Sequence, residues 1–533
     1  MLLRLDNVTI DLEAEANEPD ALLRAVATAL GVGSEELAEL TVLKRSLDTR
    51  GRPRVVYSLH ADAPGLNQAP TGSRAVDLSP LSAPRQVPAS AKDTPVAVVG
   101  AGPAGLFAAW ALASAGLRPV LLEQGKPVET RAQDVSRLMH WGELQTSSNL
   151  CYGEGGAGTW SDGKLTTRIG AGSTRRVLET LVAMGAPERI LTDGKPHLGT
   201  DRLVALLKRF RSSLTDAGAI VRFGARVAGL ERDASGHLTA LRLSDGERVD
   251  ARHAVLATGH SSRKMYELLH ESQVLLEPKA FAVGFRVEHP QALINEMQYG
   301  KFAEHPLLPA ADYRITANLE VSGRKRGVYS FCMCPGGQVV PTPTEPDGVV
   351  VNGMSHAARS GRYANSALVV TVEPRDFPQA GVFGGVELQR RAERRAGALG
   401  GGLFRAPAQS VPGWIGGWAD AQLGKTSYTP GVTPANLRDI YPPFVTEALT
   451  GALQSWSRRM PAFASEAGVL LGVETRTSAP IRIVRDSERL ECDSLPGLHP
   501  SGEGAGYGGG IVSAAVDGLK VAEAILDRLG ATV

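Results

Sequence analysis

The stretch from Val96 to Glu123 constrains this chain more than any other. Val96-Ala-Val-Val99 is a short apolar run, and Gly100-Ala-Gly-Pro-Ala-Gly105 follows it at once. The run reads as a buried strand. Residues 104–115 read as a helix with Phe107, Ala108, Ala111, Leu112 and Ala115 on one face. Gly116 ends that helix, Val120-Leu-Leu122 is the next strand, and Glu123 stands at its end. The result is a βαβ unit opened by G-x-G-x-x-G. In such a unit Gly100 permits the tight turn, Gly102 lets the backbone approach a pyrophosphate, and Gly105 lets helix and strand pack closely. The helix N-terminus at Pro103 and Ala104 offers free N–H groups and positive partial charge to an anion. Glu123 lies 23 residues after Gly100, near the spacing of a carboxylate that holds a ribose 2′-hydroxyl and repels a 2′-phosphate. Gln124 beside it is grouped with the same site. Residues 96–117 run 22 positions without a charge, long enough to suggest a membrane span. The four glycines and one proline among them favour strand, turn and helix instead.

Composition narrows the remaining classes. Glycine is in excess, 60 of 533 residues, which calls for close backbone approaches and sharp turns. Lys+Arg number 57 against 56 Asp+Glu, so no bulk charge draws the chain to nucleic acid or an anionic membrane. Four cysteines make no disulfide scaffold, no His/Cys spacing reads as a metal site, and a reducing cytoplasmic location is expected. The N-terminus has no apolar signal core. Oligomeric state is left open.

Residues 1–62 read as a small α/β unit: a strand from Leu2 to Leu12, a helix from Pro19 to Leu30, and strands at Thr41–Leu47 and Arg54–Leu59. Residues 63–94, with prolines at 64, 70, 80, 84 and 88, read as a linker or strap. The main α/β domain takes 95–280 and 480–533. Within it Ile220–Gly229, Leu238–Leu243 and Arg248–Arg252 read as a three-stranded meander leading to Ala254-Val-Leu-Ala-Thr-Gly259. Residues 281–479 interrupt that domain as an α+β cap. Its strands are expected at Phe281–Val287, Val328–Met333, Gly348–Asn352 and Leu368–Val372, and its helices at Val386–Leu399 and Pro443–Arg459.

Two further glycine-rich loops, Gly153-Glu-Gly-Gly-Ala-Gly158 and Gly502-Glu-Gly-Ala-Gly-Tyr-Gly-Gly-Gly510, bracket this domain, and an apolar helix follows from Ile511. With these motifs the chain resembles the FAD-binding flavoproteins of the glutathione-reductase-type superfamily. Within them it is similar to a bacterial group labelled FAD-dependent, or NAD(FAD)-utilising, dehydrogenases. The narrower likeness includes Lys195-Pro-His-Leu-Gly-Thr-Asp201, Ser330-Phe-Cys-Met-Cys-Pro-Gly-Gly337 and Val351-Asn-Gly-Met-Ser355. The resemblance implies a Rossmann-like FAD-binding domain. Gly100, Gly102 and Gly105 would hold the diphosphate and Glu123 the adenosine ribose, and Arg131 would reach the adenine-side phosphate or ribose. Gly156, Gly158, Ser161, Asp162, Gly163 and Lys164 would run along the ribityl chain and flavin, and Val227 would pair with adenine through its backbone. Thr258 and Gly259 would close over the diphosphate, and Gly502 and Glu503 would meet the ribityl chain. Gly509, Gly510 and Ile511 would set a helix N-terminus at the flavin pyrimidine. The superfamily usually has Gly-Asp where this chain has Gly502-Glu503.

No second G-x-G-x-x-G opens a βαβ unit, so NAD(P)H as a co-substrate would bind at the cap. The catalytic candidates are His197, Cys332, Cys334 and Arg476. His197 is read either as a proton donor or as a loop histidine serving backbone groups. Cys332 and Cys334 are read either as a redox couple or as small side chains near the site. In an extended strand both thiols face one way with Cα atoms about 6–7 Å apart, at or past the usual disulfide limit. Arg476 and Arg482 are read as holders of an acidic substrate or as surface ion-pair partners, and His356 is a weaker version of His197. Gly323-Arg-Lys-Arg-Gly327 reads as a solvated hairpin turn. Arg390, Arg391, Arg394 and Arg395 read as a solvated helix face. The expected function is an FAD-dependent oxidoreductase moving hydride between a nicotinamide or small organic donor and an acceptor. The alternative is a flavin-binding redox sensor or scaffold with little turnover. A tRNA-modifying flavoenzyme is disfavoured by the balanced charge.

Overall fold

A computed structural model of the chain describes residues 1–76 and 85–532. Pro80 and Pro84 of the strap, and Val533, lie outside the described residues. The fold is mixed α/β, centred on a five-stranded parallel sheet. Its order is Leu498–Pro500, His253–Leu256, Val96–Val99, Val120–Glu123 and Ile220–Phe223. All four residues of Val96–Val99 are buried, because helices 103–114 and 511–528 cover one face of the sheet, over Val96 and Val98, and the strands around residues 227–249 cover the other, over Ala97 and Val99. Helix Pro103–Ser114 and the final helix Ile511–Arg528 cross closely. A Cβ at Gly518 would lie 2.1 Å from the Ala104 carbonyl oxygen.

The expected strand 220–229 is in fact two. Ile220–Phe223 joins the parallel sheet, and Val227–Arg232 starts the meander with Leu238–Leu243 and Arg248–Asp250. Gly224 between them is left-handed, with φ 69°, a turn that no periodicity count registers.

The cap carries an antiparallel sheet in the order Thr316–Val321, Arg324–Pro341, Tyr363–Val372, Phe281–Pro290, Val469–Glu474 and Ala406–Ser410. Val351–Ser355 pairs with the far half of Arg324–Pro341. Strand Phe281–Pro290 is central and buried along nearly its whole length. Phe285 meets Trp414 and Tyr441 edge-on, with centroids 5.3 Å apart in each pair. Helices Gly384–Gly400 and Pro443–Arg459 pack on this sheet. The hairpin turn at Ser322-Gly323 has positive φ at both positions, as a tight two-residue turn requires.

The N-terminal unit is a four-stranded antiparallel sheet in the order Glu39–Asp48, Arg54–Asp62, Leu2–Asp11, Ser73–Ala75. It has two helices rather than one, Leu12–Asn17 and Ala21–Leu30. The strap is correspondingly less free than its proline content suggests. Ser73–Ala75 pairs with Leu3–Leu5, and Gln86 bridges to Thr532. The unit docks on the main domain through paired backbone bonds of 2.7 Å, Arg45 N–H to Thr192 and Gly194 N–H to Arg45. No described helix is long and apolar enough to cross a membrane.

Candidate functional site

A cavity of about 390 Å³ runs along the C-terminal ends of the parallel strands and ends against the cap. Open α/β sheets place their ligands at these ends. The cavity gathers Gly100, Gly102, Pro103, Ala104, Glu123, Gln124, Gly156, Gly158, Ser161, Asp162, Gly163, Lys164, Val227, Thr258, Gly259, Glu503, Gly509, Gly510 and Ile511. Gly105, Arg131, Gly502, His197 and Cys334 are not on its wall.

The local backbone explains the glycines that matter. Gly100 has φ 102°, and a Cβ there would sit 2.4 Å from the Ala257 carbonyl oxygen. A Cβ at Gly105 would sit 1.8 Å from the Gly100 carbonyl oxygen. Gly102 is different: it is extended (φ −77°, ψ −179°), and a Cβ there would meet only the Gly156 Cα, at 4.0 Å. The space beside Gly102 and in front of the first turn of helix 103–114 is therefore clear, as a diphosphate requires. At the other end Gly510, with φ 127°, precedes the first turn of helix 511–528. Two helix N-termini thus face one cavity, which fits a dinucleotide carrying an anionic diphosphate at one end and a ring that gains charge on reduction at the other.

Glu123 is buried. Its carboxylate accepts N–H bonds from Ala101 and Gly125 at 2.8 Å and from Gly153 at 3.0 Å. It therefore pins two glycine-rich loops to the sheet while lining the cavity. Asp162 is also buried. Burial works to raise its carboxyl, but Lys164 and Arg359 outweigh burial and hold it below the usual range. Lys164 Nζ lies 2.7 Å from Asp162 Oδ2 and also donates to the Met333 carbonyl in the cap. Glu503 is pushed up to about 8 by burial, with Lys279 opposing.

Several expectations need correcting. Arg131 is fully buried and does not face the cavity. Its guanidinium donates to the carbonyls of Asn149, Leu150, Glu154 and Gly156 and lies 4.5 Å over the Trp160 ring. It staples the 149–160 loop and has no donor left for a phosphate. His197 Nε2 sits 3.1 Å from the Ala357 carbonyl, and burial followed by the nearby Arg359 lowers its pKa. It bridges through its backbone to Lys164, behind the wall. Gly502 is a packing position, with its N–H donated to Asp517 Oδ2 at 2.7 Å. Arg476 is on the wall but is no surface residue. It is buried, paired with Glu393 at 3.0–3.1 Å and bonded to Thr344 at 2.7 Å. Arg482 is exposed beside Tyr507. Arg390, Arg391 and Arg394 of helix 384–400 pair with Glu345, Glu387 and Asp347, but Glu393 among them is buried, 2 % exposed.

Cys332 departs most from expectation. It is not in regular extended backbone: its φ is +48°, and the strand slips register against Tyr363–Val372 between Phe331 and Cys334. The separation inferred for an extended strand therefore does not apply. Cys332 lines the cavity with its neighbour Phe331, while Cys334 is sealed behind it.

Sequence reasoning missed Cys151, Tyr152, His260, Phe331, Asn352 and Thr477, all on the wall. His260 directly follows Thr258-Gly259, and Asn352 lies in the Val351-Asn-Gly-Met-Ser355 motif, so both had a local signal. Cys151 and Tyr152 directly precede the Gly153–Gly158 loop and Phe331 lies in the Ser330–Gly337 motif, whereas Thr477 reaches the cavity only through the cap's fold. At the far edge of the sheet His253, Glu491 and His499 converge. There the two imidazoles bond to each other at 3.1 Å, His499 bonds to the Leu490 carbonyl, and Glu491 is taken by Arg528 and the Gly497 N–H. That is a closed hydrogen-bond set.

Residues 280–477 match the family described as FAD-dependent protein, C-terminal domain-like. Residues 98–137 match the NAD(P)-binding Rossmann-like domain, and residues 4–63 match a domain of unknown function. An uncharacterized protein of Clostridium beijerinckii is 40% identical over 537 aligned residues, covering 99% of each chain. Among solved structures the chain is similar to a glycerol-3-phosphate dehydrogenase of Bacillus halodurans complexed with FAD. That match has 11% identity, 82% of this chain, 64% of that one and TM-score 0.31. It is also similar to a geranylgeranyl bacteriochlorophyll reductase-like protein of Thermoplasma acidophilum, with 12% identity, 82% and 80% coverage and TM-score 0.32. The chain belongs to one family with the Clostridium beijerinckii protein, and its residues 280–477 carry the FAD-dependent protein C-terminal domain.

Proposed function

We propose that the protein transfers hydride equivalents between a nicotinamide or small organic donor and an acceptor that meet at the cap end of the cavity. One observation supports this reading above the rest. The lining that includes Gly510 and Ile511 at the 511–528 helix N-terminus also includes the cap residues Phe331, Cys332, Asn352, Arg476 and Thr477. Bound FAD supplies two-electron chemistry at that end. The chain's own residues would do the remainder. Gly100, Gly102 and the first turn of helix 103–114 hold the diphosphate, and Glu123 fixes the loops beside the adenosine half. Gly510 and Ile511 present free N–H groups where negative charge accumulates on reduction. Lys164, bridging Asp162 and the cap carbonyl of Met333, holds cap and cofactor loop in register. Arg476 stays charged because Glu393 is its partner, and it gives the cap end a fixed positive wall suited to an anionic substrate group.

The test is anaerobic titration of purified protein with NADPH and then NADH, followed through the visible bands of oxidised flavin. Rapid bleaching by either donor is the expected result. Bands that persist with both would end the nicotinamide branch and favour an oxidisable small molecule. A colourless protein that cannot be loaded with FAD would overturn the reading.

A further inference from the structure

We propose that Cys332 and Cys334 form a reversible redox dithiol that exchanges two electrons with the flavin, an inference that rests on the FAD reading of the cavity. The first observation is backbone geometry. Cys332 adopts φ +48° inside a strand, a conformation that a non-glycine residue holds only where the surroundings enforce it. The register slip between Phe331 and Cys334 removes the regular spacing that keeps alternate side chains apart, and the Cys334 thiol turns back to within 3.4 Å of the Cys332 carbonyl oxygen.

The second observation is placement. Cys332 is half-buried on the cavity wall, whereas Cys334 is fully buried. Cys332 thus meets the cofactor cavity and Cys334 is shielded behind it, the arrangement of an attacking thiol and its resolving partner.

The third observation is charge. Arg286 is wholly buried, donates to the Cys332 carbonyl at 2.6 Å, and lies 3.6 Å from the Cys334 sulfur. Lys164 approaches from the cofactor loop through the intervening Met333 carbonyl. Asp162 and Glu474 are the facing anions, and both are already paired, with Arg359 and Lys164 and with Arg286. The hydrogen bond from Cys334, with Lys164 and Arg286 behind it, pulls the Cys332 thiol well below its ordinary value. The same bond and burial push Cys334 up. A thiolate beside its protonated partner is the reactive form of a dithiol.

The step balances within the site. Oxidation joins the two sulfurs and releases two electrons and the Cys334 proton, and the electrons pass to oxidised FAD. In reverse, electrons from reduced FAD break the S–S bond, and one proton restores the thiolate–thiol pair.

Two readouts test this. In the first, protein freed of FAD is treated with diamide, denatured and alkylated. The four free thiols of the reduced chain should fall by two, with the link mapped to the peptide holding Cys332 and Cys334. This needs no variant, so it stands even where a substitution prevents folding. In the second, FAD-loaded protein is oxidised with diamide, freed of the reagent and titrated anaerobically with dithionite. Wild type should take up twice the reducing equivalents per flavin taken by Cys334→Ser or Cys332→Ser. Four free thiols after diamide, or equal uptake by wild type and variants, would overturn the proposal. Failure to bind FAD is visible separately as a colourless protein, so it cannot be confused with failure of the pair to close.

Discussion

Gly105 shows how much one residue decides. It sits in the first turn of helix 103–114, and any Cβ there would lie 1.8 Å from the Gly100 carbonyl oxygen. The colliding atom is backbone of the turn itself, so the strand and the helix would have to separate. Gly105→Ala should destabilise the protein by about 1–3 kcal/mol, as overpacked cores do. It should also weaken FAD binding, because the same shift reshapes the turn. Equilibrium unfolding in urea with and without added FAD reads both effects. An alanine variant of wild-type stability would contradict the close approach described here. Arg131 makes the complementary point. A buried arginine whose bonds go to four backbone carbonyls and a threonine hydroxyl is a structural staple, however well its position suits a phosphate.

At the scale of elements, the free N-terminus of helix 103–114 is the main electrostatic feature of the cofactor site. Gly102 has room for a side chain and ordinary backbone angles. Gly102→Asp therefore separates two roles that usually move together. A carboxylate there caps the helix and faces its positive end, worth about 0.3–1 kcal/mol to the FAD-free protein. The same carboxylate occupies and repels the diphosphate position. The expected outcome is a cofactor-free protein at least as stable as wild type in thermal unfolding, with FAD affinity reduced by about tenfold or more, equivalent to 1.4 kcal/mol. Undiminished FAD binding by this variant would place the diphosphate elsewhere.

For the whole molecule, the coupling of cap to main domain runs through Glu393. This cap residue accepts from Arg263 at 2.8–2.9 Å, from Arg476 at 3.0–3.1 Å and from Thr475 at 2.7 Å, and all of these groups are buried. Arg263 belongs to the main domain, next to the cavity residues Ser261 and Ser262, and Arg476 is on the cavity wall. Removing one partner of such a cluster leaves uncompensated charge and costs about 3–5 kcal/mol. Glu393→Gln should therefore be markedly less stable at neutral pH. Burial works to raise the Glu393 carboxyl, but the two arginines bring it down to about 2. A depressed carboxyl contributes stability that is present above its unfolded value of 4.5 and lost as pH falls towards 2. The stability gap between wild type and Glu393→Gln should accordingly narrow as pH drops from 4.5 towards 2. A gap that stays constant through that window would show that the carboxylate charge is not what holds the two parts together.

The sequence by itself determined the βαβ unit, its turn, the terminal acid and the glycine loops. Each of these is a contiguous pattern whose chemistry is local: a backbone that must approach something closely, and a helix that must start there. Helix 443–459 was legible for the same reason, since an apolar stripe at helical spacing spans few residues. The tertiary structure alone decided what faces the cavity from the cap. Whether Arg476 pairs with solvent or with Glu393 depends on a helix 83 positions away. Whether Cys332 and Cys334 sit in a regular strand depends on how residues 324–341 register with 363–372. Burial converts these groups from ordinary surface side chains into charged partners and a thiol pair, and burial is a property of the packed chain that no local spacing encodes.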